Sequence, residues 1–419
     1  MESAPSDRFR TLDLVRGVAV LGILAINVAS FAAPDSAAYS PDLPQTGGGA
    51  DHAAYLVTLV LFEGKMRALF SVLFGASLLL FVERADTAGR NGARLQARRL
   101  AWLLGFGYLH FALIWDGDIL FLYAAIGFVA LALRTWSPRR LIIAAALTFS
   151  LWQVWGAALW LPSVTQEAAV MAGTAAPAVQ RSHARDIAEF RAADARDQAE
   201  ARLSWPAHVQ AKLAGRADAP LGLIAYNWGE TLPWMLLGMA LLRTGFFAGQ
   251  WPRRRLVWLA GAGLGLGGTA TLGFAVWAAR SHYPEAAMHF ALGFGLALPH
   301  LAMALGYAAL LVLAASLPPS PEGAGLKRLA TVLAGQLEAA GRMAFSNYLA
   351  TSLVMTALCS GWGLGLFGQF GAAQRWTLVL LVWAMMLAWS QPWLARFRQG
   401  PLEWVWRSLT EARRLPLRR

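Results

Sequence analysis

The first candidate for chemistry is a histidine that is followed closely by two carboxylates. His110 precedes Asp116 and Asp118 in the segment HFALIWDGDIL. A neutral imidazole beside a carboxylate is suited to remove a proton from a hydroxyl or an amine, because the carboxylate orients the ring. We therefore predict His110, oriented by Asp116 or Asp118, as a general base. The alternative is a buried histidine that bonds a backbone carbonyl.

A second polar group lies in the first apolar segment. At about 100° per residue, Asp13, Arg16 and Asn27 fall on one stripe of a helix. Asp13 and Arg16 are three residues apart and are predicted to form an ion pair. Ionisable side chains inside a membrane are costly and mark functional sites by default. The pair is either structural, or Arg16 binds an anionic ligand from the cytoplasmic side.

A third charged group marks the start of the second apolar segment. Glu63 and Arg67 are four residues apart and can pair, whereas Lys65 points in another direction. We interpret this group as interfacial, with Lys65 snorkelling towards the headgroups. The alternative is an electropositive wall of an outer binding depression.

Three further ionisable residues lie in or beside apolar segments. Glu230 comes just before Pro233, which is expected to kink its helix. His300 lies near the middle of a later segment, and His52 lies at the outer entrance to the second. No spacing of His, Asp and Glu resembles a metal site, and no phosphate-binding loop motif indicates an ATP-driven pump. We expect no tightly bound cofactor.

The elements that must position these residues are membrane helices. Hydrophobic residues make up 57% of the 419 residues and charged residues only 14%, against about 25% in soluble domains. A span takes about 20 apolar residues, and the period-two pattern of a β-barrel is missing. We predict an all-α, polytopic bundle of about ten spans. They are 12–33, 62–82, 100–115, 119–133, 141–161, 222–242, 256–278, 290–315, 343–358 and 375–394.

Two short spans flank the Asp116-Gly117-Asp118 turn. At helical rise, 100–115 and 119–133 are roughly 24 and 22 Å long, against about 30 Å for the hydrocarbon core. The turn is therefore predicted to lie below the outer surface, at the bottom of a depression. Unusually short paired segments point to a binding site.

The distribution of basic residues predicts the orientation. Membrane proteins collect Lys and Arg in cytoplasmic loops, so the net charge of +12 does not indicate nucleic acid. Arg8, Arg10, Lys327 and most other basic residues fall in one alternating set of connections. The short loops of the other set contain only Arg280. We predict one integral-membrane domain, 1–419, with both termini in the cytoplasm.

Two regions lie outside the predicted spans. Residues 162–221 form a periplasmic loop, predicted to be helical over 182–203, which either rests on the periplasmic face or covers a binding site. Residues 395–419 form a basic cytoplasmic tail. We interpret this tail as an interfacial helix, because Trp404 and Trp406 suit the headgroup region and its arginines suit anionic lipid.

Five motifs carry a resemblance to a known family. They are LDxxRGxAxLGI from Leu12 with Asn27, LFSxLFGA from Leu69, the segment His110 to Leu120, GRMAxxNY from Gly341 to Tyr348, and FRQGPLEWxWR from Phe397. With these motifs the chain resembles, nearly end to end, the YeiB-like family of bacterial inner-membrane proteins, a domain of unknown function. Through the opening of its first helix it is distantly similar to the transmembrane acyltransferases. These include the acyltransferase-3 proteins and heparan-α-glucosaminide N-acetyltransferase.

The resemblance implies transfer of an acyl group from a cytoplasmic thioester, such as acyl-CoA, to a periplasmic acceptor. The acceptor is a small molecule, a glycan or a lipid. Arg16 then holds donor phosphates, while Asn27 and Tyr348 stabilise the oxyanion. Arg342 and Asn347, in the same motif as Tyr348, are predicted to contact substrate.

The base itself stays open between two histidines. Acyltransferase-3 proteins have a histidine near the end of the first helix, where this chain has Asn27. The heparan-type enzymes have one just before the second span, where His52 is loosely placed. His110 is therefore not the sole candidate.

The alternative function is a transporter or lipid-handling protein without covalent chemistry. Arg16, Glu230 and His110 then line a path for substrate or protons, and the lipid bilayer is the main partner. A tunnel joining Arg16 to His110 favours acyl transfer, and a lateral opening to lipid favours lipid handling.

Overall fold

The computed structural model describes residues 5–316 and 325–419, and within them it has sixteen α-helices and no β-strand. The all-α prediction is confirmed. The helices are α1 Pro5–Ala32, α2 Gly49–Leu61, α3 Lys65–Thr87, α4 Gly92–Leu113, α5 Leu120–Ala132, α6 Pro138–Met171, α7 Pro177–Ala201, α8 Trp205–Arg216, α9 Ala219–Arg243, α10 Arg253–Arg280, α11 Glu285–Phe290, α12 Ala297–Ala315, α13 Leu326–Arg342, α14 Ala344–Cys359, α15 Ala372–Arg396 and α16 Pro401–Glu411.

The protein is a multi-pass membrane protein. Six helical stretches of the described chain are long and apolar enough to cross a membrane, namely Arg10–Ala32, Gly49–Thr87, Pro138–Met171, Arg253–Arg280, Ala297–Ala315 and Ala372–Arg396. The helices α5 and α14 are apolar but shorter. Each predicted span coincides with a helix, and the count of ten crossings stays a prediction.

The outer helices expose apolar side chains around the bundle. Leu151 on α6 and Leu266 on α10 are 64% and 75% exposed. Exposed apolar surface of this kind is unfavourable in water, and hydrocarbon chains accept it. In contrast, α1 and α3 are largely buried inside the bundle, and they carry the charged residues Asp13, Arg16 and Arg67.

Two central helices, α3 and α9, run side by side in the same direction. Gly75 packs on the backbone of α9 and Gly238 packs on the backbone of α3, and a side chain at either position would collide with the facing carbonyl. Ion pairs join the two helices near both ends, Arg67 to Glu230 at 3.0 Å and Glu83 to Arg243 at 3.4 Å. The close glycine packing fixes the register that makes these pairs.

Two helices are broken near one end of the bundle. Residues 62–64 separate α2 from α3, and Gly64 adopts a positive φ of 72°. A π-helical stretch, Ala291–Gly295, separates α11 from α12. The sequence does not predict α2, since its polar first turn resembles a loop. These breaks leave backbone groups that side chains must satisfy.

Both ends of the described chain lie at the other end of the bundle. Arg10 pairs with Glu338 at 2.6 Å, and Glu411 in the last helix pairs with Arg90, which follows α3. This end carries the connections that are predicted to be cytoplasmic. The side chains of Arg8 and Lys327, on which the orientation also rests, lie outside the described part.

The basic tail packs on the protein itself. The indole of Trp404 donates to the Leu415 carbonyl at 2.7 Å, and that of Trp406 donates to the Arg99 carbonyl at 2.9 Å. Both indole N–H groups therefore bond the protein itself, and the position of the tail at the membrane interface stays a prediction. Glu403 accepts the Phe345 and Ser346 amides and so docks α16 on the start of α14.

Candidate functional site

The centre of the candidate site is a dyad of His110 and Asp118. His110 lies on the last turn of α4, and Asp118 lies on the turn into α5. The Nδ1 atom of His110 is 2.8 Å from Oδ1 of Asp118, and both side chains are buried. The other carboxylate oxygen accepts the Phe121 amide at 2.8 Å, at the start of α5. The Phe121 amide therefore fixes the Asp118 carboxylate, and the carboxylate in turn fixes the orientation of the His110 imidazole.

The second ring nitrogen of His110 is free. Its Nε2 atom is buried and has no hydrogen-bond partner in the described part of the chain. When Nδ1 donates its proton to an ionised Asp118, Nε2 carries the lone pair of the neutral ring. The dyad therefore presents an unengaged base inside the bundle.

Asp116 does not orient His110, so that part of the prediction is wrong. Its carboxylate faces α8 instead, where it pairs with Lys212 and, at 3.1 Å, with Arg216. Lys212 is completely buried and also donates to the Phe111 carbonyl at 2.9 Å. Burial lowers the pKa of Lys212, and the attraction of Asp116 opposes that shift. Asp116 therefore ties α8 to the end of α4.

The predicted depression and His110 are separate. Phe111, Asp116 and Asp118 line a depression of about 340 Å³ together with residues 219–227 of α9. His110 is only 2% exposed and does not line it, because Asp118 lies between and aromatic rings cover the imidazole. The expectation that His110 opens to this depression is wrong for the conformation described.

The aromatic rings around His110 connect it to α1. The ring of Tyr348 is 5.4 Å from the imidazole and that of Trp115 is 6.2 Å away. Phe31 on α1 stacks on Trp115 at 4.0 Å. The hydroxyl of Tyr348 accepts the Ile119 amide at 3.3 Å, which leaves its own proton available.

The polar stripe of α1 leads towards this aromatic shell. The predicted Asp13–Arg16 pair is confirmed at 2.6 Å, and Arg16 also donates to Ser77 on α3 at 2.8 Å. Further along the stripe, Asn27 and Tyr348 line a cavity of about 10 Å³, which holds about one water molecule. The stripe thus leads from Arg16 towards the surroundings of His110, and the cavities described here among residues 5–316 and 325–419 are lined by neither side chain.

Two motif residues are used by the protein itself. The amide of Asn347 donates to the Ala340 carbonyl at 3.1 Å and to Ser390 at 3.2 Å, and accepts from Trp389 at 2.8 Å. Arg342 donates to the Arg398 carbonyl at 3.4 Å. Their bonds go to α13, α15 and the tail rather than to the dyad.

A second buried polar group lies at the break between α2 and α3. Arg67 lies 3.9 Å from Glu63, as predicted, and 3.0 Å from Glu230 of α9. Glu230 is 2% exposed, and one of its oxygens has no partner among the described residues. We call Glu63, Arg67 and Glu230 the charged triad. The sequence marked each member as an ionisable residue in an apolar segment but did not pair Glu230 with Arg67.

The interpretation of Lys65 as a snorkelling residue or an outer wall is wrong. Lys65 is completely buried, and its ammonium donates to the Leu59 carbonyl at 2.8 Å. Tyr307 donates to the neighbouring Leu61 carbonyl at 3.0 Å. The last turn of α2 needs donors for its carbonyls, and these two side chains supply them.

Two other histidines differ from His110. Both ring nitrogens of His52 are engaged, with Tyr283 at 3.2 Å and with Asp42 at 3.0 Å. Neither nitrogen of His300 has a partner in the described part, and its ring packs on Gly64. A base needs one nitrogen fixed and the other free, and His110 meets that condition.

Comparison with known proteins gives the family. The family model described as a protein of unknown function (DUF418) matches residues 241–413. The chain is 32% identical to the uncharacterized protein YeiB of Escherichia coli, with 96% of each chain covered. The chain belongs to the YeiB-like DUF418 family.

Two further relatives also have names that give no activity. The chain is 30% identical to the uncharacterized protein YxaH of Bacillus subtilis over 97% of this chain and 94% of that protein. It is also 25% identical to an uncharacterized 39.9 kDa protein of Bacillus acidopullulyticus, over 99% and 97%. No solved structure matches the chain. The similarity to acyltransferases stays a prediction.

Proposed function

We propose that this protein is an acyltransferase of the bacterial inner membrane. The observation that carries the proposal is the dyad: Asp118 fixes Nδ1 of His110 and Nε2 is left free. Nε2 accepts the proton of an acceptor hydroxyl or amine while the acceptor attacks the thioester carbonyl. The carbon–sulfur bond then breaks, and the imidazolium returns the proton to the leaving thiolate. Asp118 stabilises the imidazolium in between.

The surroundings of the dyad support the donor side of this proposal. The α1 stripe carries Arg16, whose guanidinium suits a phosphate of the donor. Asn27 and Tyr348 line the small cavity beside the aromatic shell and can donate to the oxyanion of the tetrahedral intermediate. The acceptor approaches from the periplasmic side, and the donor, an acyl thioester such as acyl-CoA, from the cytoplasmic side.

The proposal requires movement of α1 relative to α14. A cavity of about 10 Å³ does not admit an acyl chain with its thioester. Small side chains on α14, Thr351 and Ser352, face α1 across this cavity. We therefore expect the donor to bind a conformation in which α1 and α14 have separated, as in enzymes that close around their substrates.

The test uses the purified, full-length protein in lipid nanodiscs with radiolabelled acetyl-CoA. Release of CoA and transfer of label are measured against sugars, amines and lipids. His110→Ala is expected to lower the rate by roughly 10²- to 10⁴-fold. The matched control is His52→Ala, which is expected to keep the wild-type rate. No transfer to any acceptor, or equal rates for wild type and His110→Ala, overturns the proposal.

A second candidate function is transport, and the charged triad favours it. Discontinuous helices that carry charged residues at their breaks are typical of transporter binding sites. Glu63 and Arg67 lie at the break between α2 and α3, and Arg67 lies 3.5 Å from the Leu292 carbonyl of the π-helical stretch. In the same nanodisc preparation, binding of acetyl-CoA without turnover, unaffected by His110→Ala but lost in Arg67→Lys, which keeps a positive charge beside Glu63 and Glu230, would support transport.

A further inference from the structure

A cavity of about 410 Å³ lies away from the dyad, among α6, α7 and α11. Trp160 lies about 22 residues into α6, or roughly 33 Å from its predicted cytoplasmic end. This distance exceeds the thickness of a hydrocarbon core, about 30 Å. The cavity therefore opens at the level of the outer headgroups or beyond. We call it the outer cavity.

Carboxylates dominate the lining of the outer cavity. They come from three helices and are Glu167, Asp186, Glu189 and Glu285. In the described part of the chain, no Lys, Arg or His nitrogen lies within 4.0 Å of any of them, although Arg196 and His183 also line the cavity. Four acidic side chains share one space without a paired cation.

The four carboxylates are not equivalent. Glu167 accepts the Ala286 and Ala287 amides at 3.1 and 3.0 Å and so holds the first turn of α11. No amide of the described residues donates to the Glu285 carboxylate, and its pKa is raised to about 7 by burial and by repulsion from Glu167, Asp186 and Asp194. A bound cation would relieve this repulsion.

An aromatic wall completes the outer cavity. Trp160 and Phe190 line it, and both pack on His289, at centroid distances of 5.1 and 5.2 Å. Tyr39 stacks on His289 at 3.7 Å, which fixes the wall from behind. Aromatic faces together with carboxylates recognise ammonium groups.

We propose that the outer cavity binds an organic cation that carries an ammonium group. Aromatic Trp160 and Phe190 contact its methyl or methylene groups, and Asp186, Glu189 and Glu285 neutralise its charge. A metal ion is disfavoured, because the described residues contain no group of three or more His, Cys, Asp or Glu side chains arranged to hold one. The ammonium belongs either to a lipid headgroup or to a soluble amine. This site is independent of acyl transfer at His110.

The test measures binding of radiolabelled choline to the full-length protein in phosphatidylglycerol nanodiscs. Asp186→Asn and Glu285→Gln are each expected to weaken binding at least tenfold at pH 8. The matched control is Asp218→Asn, an exposed carboxylate before α9 that does not line the cavity, and it is expected to stay within twofold of wild type. A thermal unfolding curve for each variant shows that it is folded. No binding by wild type, or equal affinity in all four proteins, overturns the proposal.

A second arm separates the two sources of the ammonium group. The choline titration is repeated in nanodiscs that contain phosphatidylethanolamine. A headgroup that enters the outer cavity competes with choline and weakens its apparent affinity, which supports a lipid ligand. An unchanged affinity, together with competition by free ethanolamine, supports a soluble amine. Choline binding that neither ethanolamine nor the lipid weakens supports a site for quaternary ammonium groups and excludes primary amines as its ligand.

Discussion

The dyad and the charged triad are both buried and polar, but their bonding differs. In the dyad a single carboxylate fixes one nitrogen of His110 and leaves the other free. In the triad Arg67 lies between two carboxylates, at 3.0 and 3.9 Å. The dyad leaves Nε2 of His110 without a partner among the described residues, whereas the triad places two carboxylates beside its single cation, Arg67.

This difference separates positioning from reactivity. Opposite charges in a low-dielectric interior hold elements together, and removal of one partner leaves a charge that is costly to bury. The triad joins α3 to α9 where α2 breaks from α3, so we expect it to maintain the helix arrangement. A free imidazole nitrogen contributes little to stability and is available for proton transfer. The predictions below test that division.

The largest effect is expected from Arg67→Met. The variant leaves Glu230, which is 2% exposed, without its cation. We expect the free energy of unfolding to fall by about 3–5 kcal/mol, as measured by thermal and denaturant unfolding in detergent. The double variant Arg67→Met with Glu230→Gln is expected to recover part of that loss.

The control for this prediction is an exposed ion pair. Arg90 pairs with Glu411 and is 44% exposed, so Arg90→Met is expected to cost at most about 1 kcal/mol. If Arg67→Met and Arg90→Met unfold alike, the triad does not hold α3 and α9 together, and the transport interpretation gains.

The next effect is on rate, from Asp118→Asn. Loss of the charge allows the other tautomer of His110 and weakens stabilisation of the imidazolium, so we expect acyl transfer to fall about 100-fold, or roughly 2.7 kcal/mol in activation free energy. The pH–rate profile is expected to shift as well, which a merely structural role would not produce. Asp116→Asn is the matched control, and we expect its rate to stay within a few fold of wild type. Equal losses in the two variants would contradict the assignment of Asp118.

The sequence predicts contacts between residues that are close along the chain better than contacts between distant helices, and these two regions show both cases. The Asp13–Arg16 pair follows from helical spacing alone, because neighbours three residues apart face the same side. The partnership of Arg67 and Glu230 does not, since it depends on how α3 and α9 pack at Gly75 and Gly238. Periodicity indicates which residues share a face but not which helix covers that face.

The aspartates show the same limit at shorter range. The sequence places Asp116 and Asp118 beside His110, but which one faces the imidazole depends on the Phe121 amide that holds Asp118 and on the cations of α8 that hold Asp116. The interpretation of Lys65 fails because the sequence does not predict α2. Only when α2 is known is it clear that the carbonyls of its last turn need donors, and Lys65 is one of them. Family membership, in contrast, follows from motifs and needs no packing information.

A smaller effect is expected from Lys212→Met, which tests whether α8 belongs to the dyad region. Lys212 is buried and joins Asp116 to the Phe111 carbonyl. Its loss leaves the Phe111 carbonyl without this donor and Asp116 with Arg216 as its remaining cation, at a cost of about 1–3 kcal/mol. We expect faster hydrogen–deuterium exchange in residues 205–216 with little change in α3 and α9. The exposed neighbour Arg216→Met serves as control. Equal exchange in both variants would show that Lys212 does not hold α8.

The smallest effect extends the comparison to Glu285. This carboxylate is partly buried, whereas Glu230 is fully buried, and no arginine nitrogen among the described residues lies within 4.0 Å of it. Burial first, and then Glu167, Asp186 and Asp194, raises its pKa from 4.5 to about 7, while His183 and Arg196 of α7 also face the cavity. The folded state therefore binds this proton more tightly than the unfolded state. The associated stability is present below pH 4.5 and is lost as the pH rises through about 7.

Between pH 5 and pH 8, Glu285→Gln is expected to lose less stability than wild type, because it has no proton to release. The difference is expected to be only about 1 kcal/mol, because solvent reaches Glu285 and reduces the effect. Hydrogen–deuterium exchange of residues 285–290 at the two pH values measures this difference, with Asp218→Asn as control. An identical pH dependence in wild type and Glu285→Gln would mean that solvent already screens the repulsion. Glu285 would then need no cation, in contrast to Glu230, which is paired with Arg67.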